Sequence, residues 1–280
     1  MPEIVWVNGK LLPPDAPAIS PLDRGFLYGE GLFETMRAYQ GKVFRLAQHL
    51  DRLLAGAAEL NFTPPGAEAM TEAVREGLAA SRLPDASVRL TLTPGVAGSS
   101  PTLVVLVRPL SLPPPERYAS GCLAVSVPAA QVGETSLRRI KSLNYLDKLL
   151  AQRAAAQKGA HEAIFVDPDG CVVEGAMRNI FAVIAGQLVT PPLSRSFLPG
   201  ITRAAVLEVA EKENIPHTER ELPLTELYTA DECFLTSSLA EILPIASLDG
   251  NSLNLSAPGP LTQAITRAYR HLVHAETTQL

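Results

Sequence analysis

Lys141-Ser142-Leu143-Asn144-Tyr145-Leu146 places a lysine just ahead of an apolar helical pattern, and two further segments complete its meaning. Val173-Glu174-Gly175 sets a carboxylate among apolar residues, and Leu198-Pro199-Gly200-Ile201-Thr202-Arg203 breaks at glycine and then starts a helix. An amine can form an imine, and a buried acid can keep a pyridine nitrogen protonated so that the ring takes up electrons. The free N–H groups at a helix start can receive a phosphate dianion. Those are the needs of a pyridoxal phosphate site, and the three segments occur in the order amine, acid, helix start.

Working outward, 280 residues with 46% hydrophobic content suffice for one large domain or two modest ones. A formal charge of −5 argues against binding to nucleic acid or to an anionic membrane, both of which need a basic surface. A small-molecule substrate is therefore expected. Cys122, Cys171 and Cys233 are scattered, with no CxxC pair and no histidine at ligand spacing, so neither a disulfide framework nor a metal site is expected and a reducing cytoplasm fits. The first residues carry no basic segment followed by an apolar one, and no run of about 18 apolar residues occurs. Export and membrane insertion are not expected.

The chain opens on antiparallel strands. Ile4–Val7 and Leu11-Leu12 flank Asn8-Gly9, a strong hairpin signal, and Arg37–Tyr39 and Val43–Arg45 flank Gln40-Gly41 in the same way. Helical spacing predicts helices from His49 to Leu60 and from Ala69 to Ala80, followed by strands over 88–93 and 102–107. Pro113-Pro114-Pro115 suits a stiff linker and sets the expected boundary between domains 1–115 and 116–280. Beyond it, strands are predicted over 123–127, 163–166, 179–184, 233–235 and 243–245, and helices over 144–157, 202–212 and 261–273.

Each motif has a plainer alternative. Most lysines are solvated, and Lys148, with Asp147 beside it, reads as part of a solvated helix face. Glu174 is either an exposed acid at a strand end or the partner of a pyridinium N–H. Tyr145 is either a core aromatic or a donor to a phenolate oxygen. The helix start at Ile201-Thr202 and the turn Thr236-Ser237-Ser238 are either ordinary polar ends or sources of phosphate donors. Arg52, inside an apolar helical pattern, either snorkels outward or is held inward by an anion.

Taken together, these segments resemble the class IV aminotransferases, the fold-type IV pyridoxal phosphate enzymes that include branched-chain aminotransferases, D-amino-acid aminotransferases and aminodeoxychorismate lyases. The likeness runs from about Trp6 to Ile245. It includes Tyr28-Gly29-Glu30-Gly31-Leu32-Phe33-Glu34-Thr35, His49-Leu50-Asp51-Arg52-Leu53, the Lys141 run, Glu174-Gly175-Ala176-Met177-Arg178-Asn179-Ile180-Phe181, the Leu198 to Arg203 run and Ala230–Thr236, all in the family's order. The resemblance implies an α+β fold with a small N-terminal α/β domain and a larger, β-barrel-like C-terminal domain with helices. It implies that Lys141 carries the Schiff base and moves the proton, that Glu174 binds the pyridine nitrogen, and that Tyr145 touches the phenolate oxygen. Arg52, the backbones of Ile201 and Thr202, and Ser238 would hold the phosphate, with Asn179 supporting the loop of Glu174. Tyr28, Phe33, Arg37 and the N–H groups of Ser238 and Leu239 would meet the substrate. The family's members are usually homodimers whose sites form between the two domains and take residues from the partner chain.

Within the family, Met36-Arg37-Ala38-Tyr39 and Phe44-Arg45-Leu46 are similar to branched-chain aminotransferases, which implies transfer between an apolar amino acid and a 2-oxo acid such as 2-oxoglutarate. Asp23-Arg24-Gly25 and Thr236-Ser237-Ser238-Leu239 are equally at home in aminodeoxychorismate lyase, which releases pyruvate and 4-aminobenzoate. Two departures stand out. Met177-Arg178 replaces the small glycine-rich stretch common in branched-chain enzymes, and the loop Thr93–Pro101 lacks the Arg-x-His clamp of D-amino-acid aminotransferases, which counts against that class.

Overall fold

The computed structural model describes residues 3–16, 19–129, 139–195, 197–253 and 257–278. The chain divides into two compact units, Met1–Ser111 with Ser136–Asn144 and His274–Leu280, and Leu112–Thr135 with Tyr145–Val273. It first passes between them after Ser111, close to the proline run, and then returns. The single cut at residue 115 did not foresee those returns, because they depend on distant segments packing together and leave no local signal.

The first unit contains β1 (Ile4–Val7), β2 (Lys10–Leu12), α1 (Arg24–Tyr28), β3 (Leu32–Tyr39), β4 (Lys42–Val43), α2 (Leu46–Glu59), α3 (Ala67–Ser81), β5 (Ala86–Thr93) and β6 (Thr102–Pro109). Its six strands pair antiparallel in the order β2-β1-β6-β5-β3-β4. Asn8 and Gly9 both take positive φ, 44° and 88°, which gives the two-residue turn its twist and sets Val7 opposite Lys10. Along β3, Leu32, Met36 and Ala38 face a core shared with Val88, Leu90, Val105 and Val107 of the sheet and with Leu50, Leu53, Met70 and Val74 of the two helices. The strand expected over Val43–Arg45 stops at Val43. Arg45 turns left-handed (φ 55°), stacks on Phe44 and pairs with Glu276, so α2 begins at Leu46, before the expected His49.

The second unit contains α4 (Pro115–Ser120), β7 (Cys122–Pro128), α5 (Leu146–Gln157), β8 (Glu162–Val166), β9 (Val172–Gly175), β10 (Asn179–Ile184), β11 (Gln187–Thr190), α6 (Ile201–Lys212), β12 (His217–Glu219), α7 (Leu224–Leu227), β13 (Glu232–Ser237), β14 (Glu241–Leu248), β15 (Asn251–Ser252) and most of α8 (Pro260–Thr278), whose end from His274 belongs to the first unit. Its strands form a mixed sheet, β12-β11-β10-β13-β14-β7-β8-β9, with β15 on β14. The central strands β10 and β13 are buried on both faces, and β10 reads from Ile180 to Ile184 as a continuous apolar run. Pro115 opens α4 at its first turn, where a missing N–H costs nothing, so the proline run ends in a short helix rather than a bare linker. The expected α+β architecture is the observed one.

Candidate active site

Lys141 is held by its backbone against the start of β3. The Phe33 N–H donates to the Lys141 carbonyl at 2.9 Å, the Leu143 N–H donates to the Gly31 carbonyl at 2.9 Å, and Ser142 bridges Leu32 in antiparallel register. Asn144 adds a side-chain donor to the Gly29 carbonyl at 3.1 Å. The lysine thus stands on a short rung beside a sheet, a more rigid support than the loop ahead of a helix that the sequence suggests. Its Nζ lies 4.6 Å from the centre of the Phe33 ring, and the Arg89 guanidinium lies 3.7 Å from the same centre. Phe33 and Arg37 belong to the face of β3 opposite its core residues, and Arg37 stacks on Tyr39 at 4.6 Å. Of the expected substrate residues of the first unit, Phe33 and Arg37 therefore share a cationic sheet face with Lys141 and Arg89. Tyr28 instead ends α1, 64% exposed, beneath the Arg24 guanidinium.

Glu34 points the other way, into the core of the first unit, and is fully buried. Arg52 holds it with two charge-assisted bonds, Nε to Oε1 at 2.7 Å and Nη2 to Oε2 at 2.6 Å, and His49 Nδ1 lies 2.7 Å from Oε2. Burial works to raise the Glu34 pKa, but the Arg52 charge and the bonds from His49 and Arg52 outweigh it and bring it down to about 2. Burial also pushes the His49 pKa down, against the pull of Glu34, which leaves a neutral imidazole beside an ionised pair. Arg52 is thus held inward by an anion, as one reading of the sequence has it, although the anion in the structure is Glu34. The roles of Glu34 and His49 escaped the sequence because position 34 alternates correctly for a core residue and gives no sign of which distant helix supplies its partners.

In the second unit Glu174 lies inside β9, 7% exposed, and is not a solvated strand-end acid. Lys148 reaches it, with Nζ 2.8 Å from Oε1, and is itself only 20% exposed along its side chain. The expectation that Lys148 lies on a solvated face is therefore corrected. Among the described residues α5 buries Ala155 alone and leaves Leu146, Leu149 and Leu150 exposed, so its apolar residues do not show which side faces inward, and a lysine stem can run along protein while its amine finds a distant acid. The Tyr145 ring sits 5.6 Å from the same Nζ, which brings Tyr145, Lys148 and Glu174 into one group. The turn that follows is tied down by Glu162, which accepts from the Met177 N–H at 3.2 Å and pairs with Arg178. The Met177-Arg178 departure thus has a structural use.

Asn179 opens β10 and donates from Nδ2 to the Leu198 carbonyl at 3.0 Å. Its amide oxygen lies where a side chain at position 200 would begin, so only glycine lets the start of α6 approach this closely. Ile201 and Thr202 are the first residues of α6, whose first turn carries no acidic side chain. Asn179 is directly opposite Thr236 on β13, so the two side chains share one face of the sheet. The buried Thr236 Oγ1 has no hydrogen-bond partner among the described residues. Ser238 and Leu239 follow in the half-buried turn into β14. A helix start with free N–H groups, a buried hydroxyl in need of a partner, and a carboxylate five residues before Asn179 fit the phosphate and ring nitrogen of pyridoxal phosphate. The structure thus gathers Tyr145, Glu174, Asn179, Ile201, Thr202, Ser238 and Leu239 in the second unit, and Tyr28, Phe33, Arg37, Arg52 and Lys141 in the first.

A lysine held beside the sheet of the first unit, with a buried acid and a glycine-opened helix start in the second, make a candidate pyridoxal phosphate enzyme of fold type IV. Comparison with known proteins agrees: the family model for amino-transferase class IV matches residues 31–248. A putative branched-chain-amino-acid aminotransferase of Methanocaldococcus jannaschii is 38% identical over 278 residues, covering 96% of each chain. A D-alanine aminotransferase of Bacillus licheniformis is 31% identical over 284 residues, 98% of this chain and 99% of that one. Among solved structures, the branched-chain aminotransferase of the archaeon Thermoproteus uzoniensis with norvaline superposes with a TM-score of 0.88 at 33% identity, over 98% of this chain and 96% of that one. The chain belongs to the class IV aminotransferases.

Proposed function

We propose that this chain moves an amino group between an apolar, branched-chain-like amino acid and a 2-oxo acid such as 2-oxoglutarate, using pyridoxal phosphate. The observation that carries the cofactor is the presence, in one sheet, of a buried carboxylate and a buried hydroxyl that has no partner among the described residues. When bound, the cofactor supplies an electron sink for the bond to Cα. Lys141 tethers it through its amine and carries the proton at Cα. Glu174 accepts from the ring N–H, Tyr145 donates to the phenolate oxygen, and Asn179, expected to support the Glu174 loop, instead holds the Leu198–Gly200 entry to α6 through the Leu198 carbonyl. Arg52, the N–H groups of Ile201 and Thr202, and Ser238 hold the phosphate. Tyr28, Phe33 and Arg37 shape the space for the substrate side chain, and the N–H groups of Ser238 and Leu239 take its carboxylate. Two copies of the chain form the active enzyme, a state supported by the exposed Leu22, Phe26, Leu27 and Tyr28 around α1. Among the described residues no disulfide joins the buried Cys122, Cys171 and Cys233, which supports a cytoplasmic location.

The branched-chain assignment draws support from the Methanocaldococcus and Thermoproteus relatives, while the D-alanine aminotransferase relative supports a second reading. Adding amino donors singly to the loaded protein and following its spectrum tests both. L-leucine, L-isoleucine and L-valine are expected to convert the yellow form to the near-ultraviolet amine form. Conversion by D-alanine alone would transfer the chain to the D-amino-acid class. Failure of every simple amino acid, with pyruvate released from aminodeoxychorismate, would make it the lyase.

A further inference from the structure

The contact between Lys148 and Glu174 is required by no step of the proposed chemistry, yet it is a close and largely covered ion pair. Lys148 is the third residue of α5, in the helix's first turn, where the positive end of the macrodipole disfavours a cation. Its stem is largely covered, and its amine ends 2.8 Å from Oε1 of a carboxylate whose side chain is 9% exposed. The neighbouring charged and titratable groups are Tyr145 and Asp147 at the start of α5, with Glu162 and Arg178 around the β9–β10 turn. Burial acts to lower the Lys148 pKa, but Glu174, Tyr145 and Asp147 hold it above the usual lysine value, so the amine is charged at neutral pH. A cation thus sits on the same carboxylate that is assigned to a second, transient cation, the protonated ring nitrogen.

We propose that Lys148 is a stand-in for the cofactor's pyridinium: it neutralises Glu174 in the free chain and competes with the ring nitrogen for that carboxylate in the loaded one. The inference rests on the assignment of Glu174 to the ring nitrogen. A carboxylate has about four lone-pair directions on two oxygens, so Lys148 on Oε1 does not prevent a second N–H from binding. The two positive charges then repel across one anion, which weakens the hold on the ring and lowers its basicity. In the free chain the same lysine removes the cost of a buried, unpaired carboxylate. Both effects favour the free chain over the loaded one, so Lys148 is a positioning residue that limits cofactor affinity.

The direction of that effect separates the proposal from a merely structural role, since loss of an ordinary structural contact would loosen the cofactor. The test compares the wild type with Lys148→Met, Lys148→Arg, Glu174→Gln and the double variant Lys148→Met/Glu174→Gln. It measures the pyridoxal phosphate Kd by titration, melting temperatures with and without cofactor, and the 15N signal of ring-labelled cofactor. Lys148→Met is expected to bind cofactor on the order of tenfold more tightly, the equivalent of about one pH unit in ring basicity. It is also expected to melt lower without cofactor, while Lys148→Arg matches the wild type and Lys148→Met has no effect on Kd in the Glu174→Gln background. Lys148→Gln, which keeps a donor and drops the charge, serves the same test if the Met variant does not fold. Unchanged or weaker binding by the Lys148 variants, with Glu174→Gln still shifting the ring nitrogen to its neutral signal, overturns this proposal and leaves the Glu174 assignment standing. A ring-nitrogen signal unchanged by Glu174→Gln overturns the assignment and the proposal together.

Discussion

Replacing Glu34 with Gln removes the anion of the buried triad while keeping its shape. In the fold the Glu34 pKa falls from an ordinary 4.5 to about 2, a change set by burial acting upward and by Arg52 and His49 acting downward more strongly. At about 1.4 kcal/mol per pH unit, the ionised carboxylate contributes about 3 kcal/mol of stability at pH 7. Loss of one partner from a buried ion pair costs about 3–5 kcal/mol in general, which agrees. Because the folded pKa is depressed, the contribution is complete above the unfolded value of about 4.5 and is lost as the pH falls toward 2. At pH 3 roughly half or less remains. Urea unfolding of the full chain at pH 7 and at pH 3 therefore gives a large gap between wild type and Glu34→Gln at pH 7 and a much smaller one at pH 3. A gap of equal size at both pH values would show that the penalty comes from packing and not from the charge. The same substitution loosens the hold on the Nε edge of Arg52, so cofactor retention is expected to weaken in the Glu34→Gln variant.

The remaining expectations concern the cofactor and its phosphate. Lys141→Ala is expected to abolish turnover and the visible absorbance of the tethered cofactor while the chain stays folded by circular dichroism; retained absorbance would place the tether elsewhere. Arg52→Ala is expected to lose cofactor on dialysis, to regain part of its activity when cofactor is in excess, and to show little change in donor KM; full retention with a large KM rise would move Arg52 to the substrate. Thr236→Val deletes a buried hydroxyl with no partner among the described residues, so thermal stability without cofactor is expected to hold or to rise by up to about 1 kcal/mol, while cofactor Kd rises. Unchanged Kd would exclude that hydroxyl from the phosphate site.

Local geometry was legible in the sequence wherever one residue type or one period decides it. Asn8-Gly9 and Gln40-Gly41 take the positive φ angles that two-residue hairpins require, and the apolar spacing of α2 and α3 places both helices within a few residues of their bounds. Lys141, Glu174 and the Gly200 helix start could be singled out because each is a chemically specific residue in an unusual setting. The partners of those residues were not legible. Arg52 meets Glu34 across 18 positions, Lys148 meets Glu174 across 26, and Lys141 gains its rung from Leu32 and Phe33 more than 100 residues earlier. Burial makes each such partner necessary, since an isolated charge away from water is too costly, but which distant strand or helix supplies it depends on how the sheets stack and on where the chain returns. A helix such as α5, whose leucines are exposed in the fold, shows the division most clearly: its existence follows from local propensity, and the direction in which Lys148 points follows from tertiary packing alone.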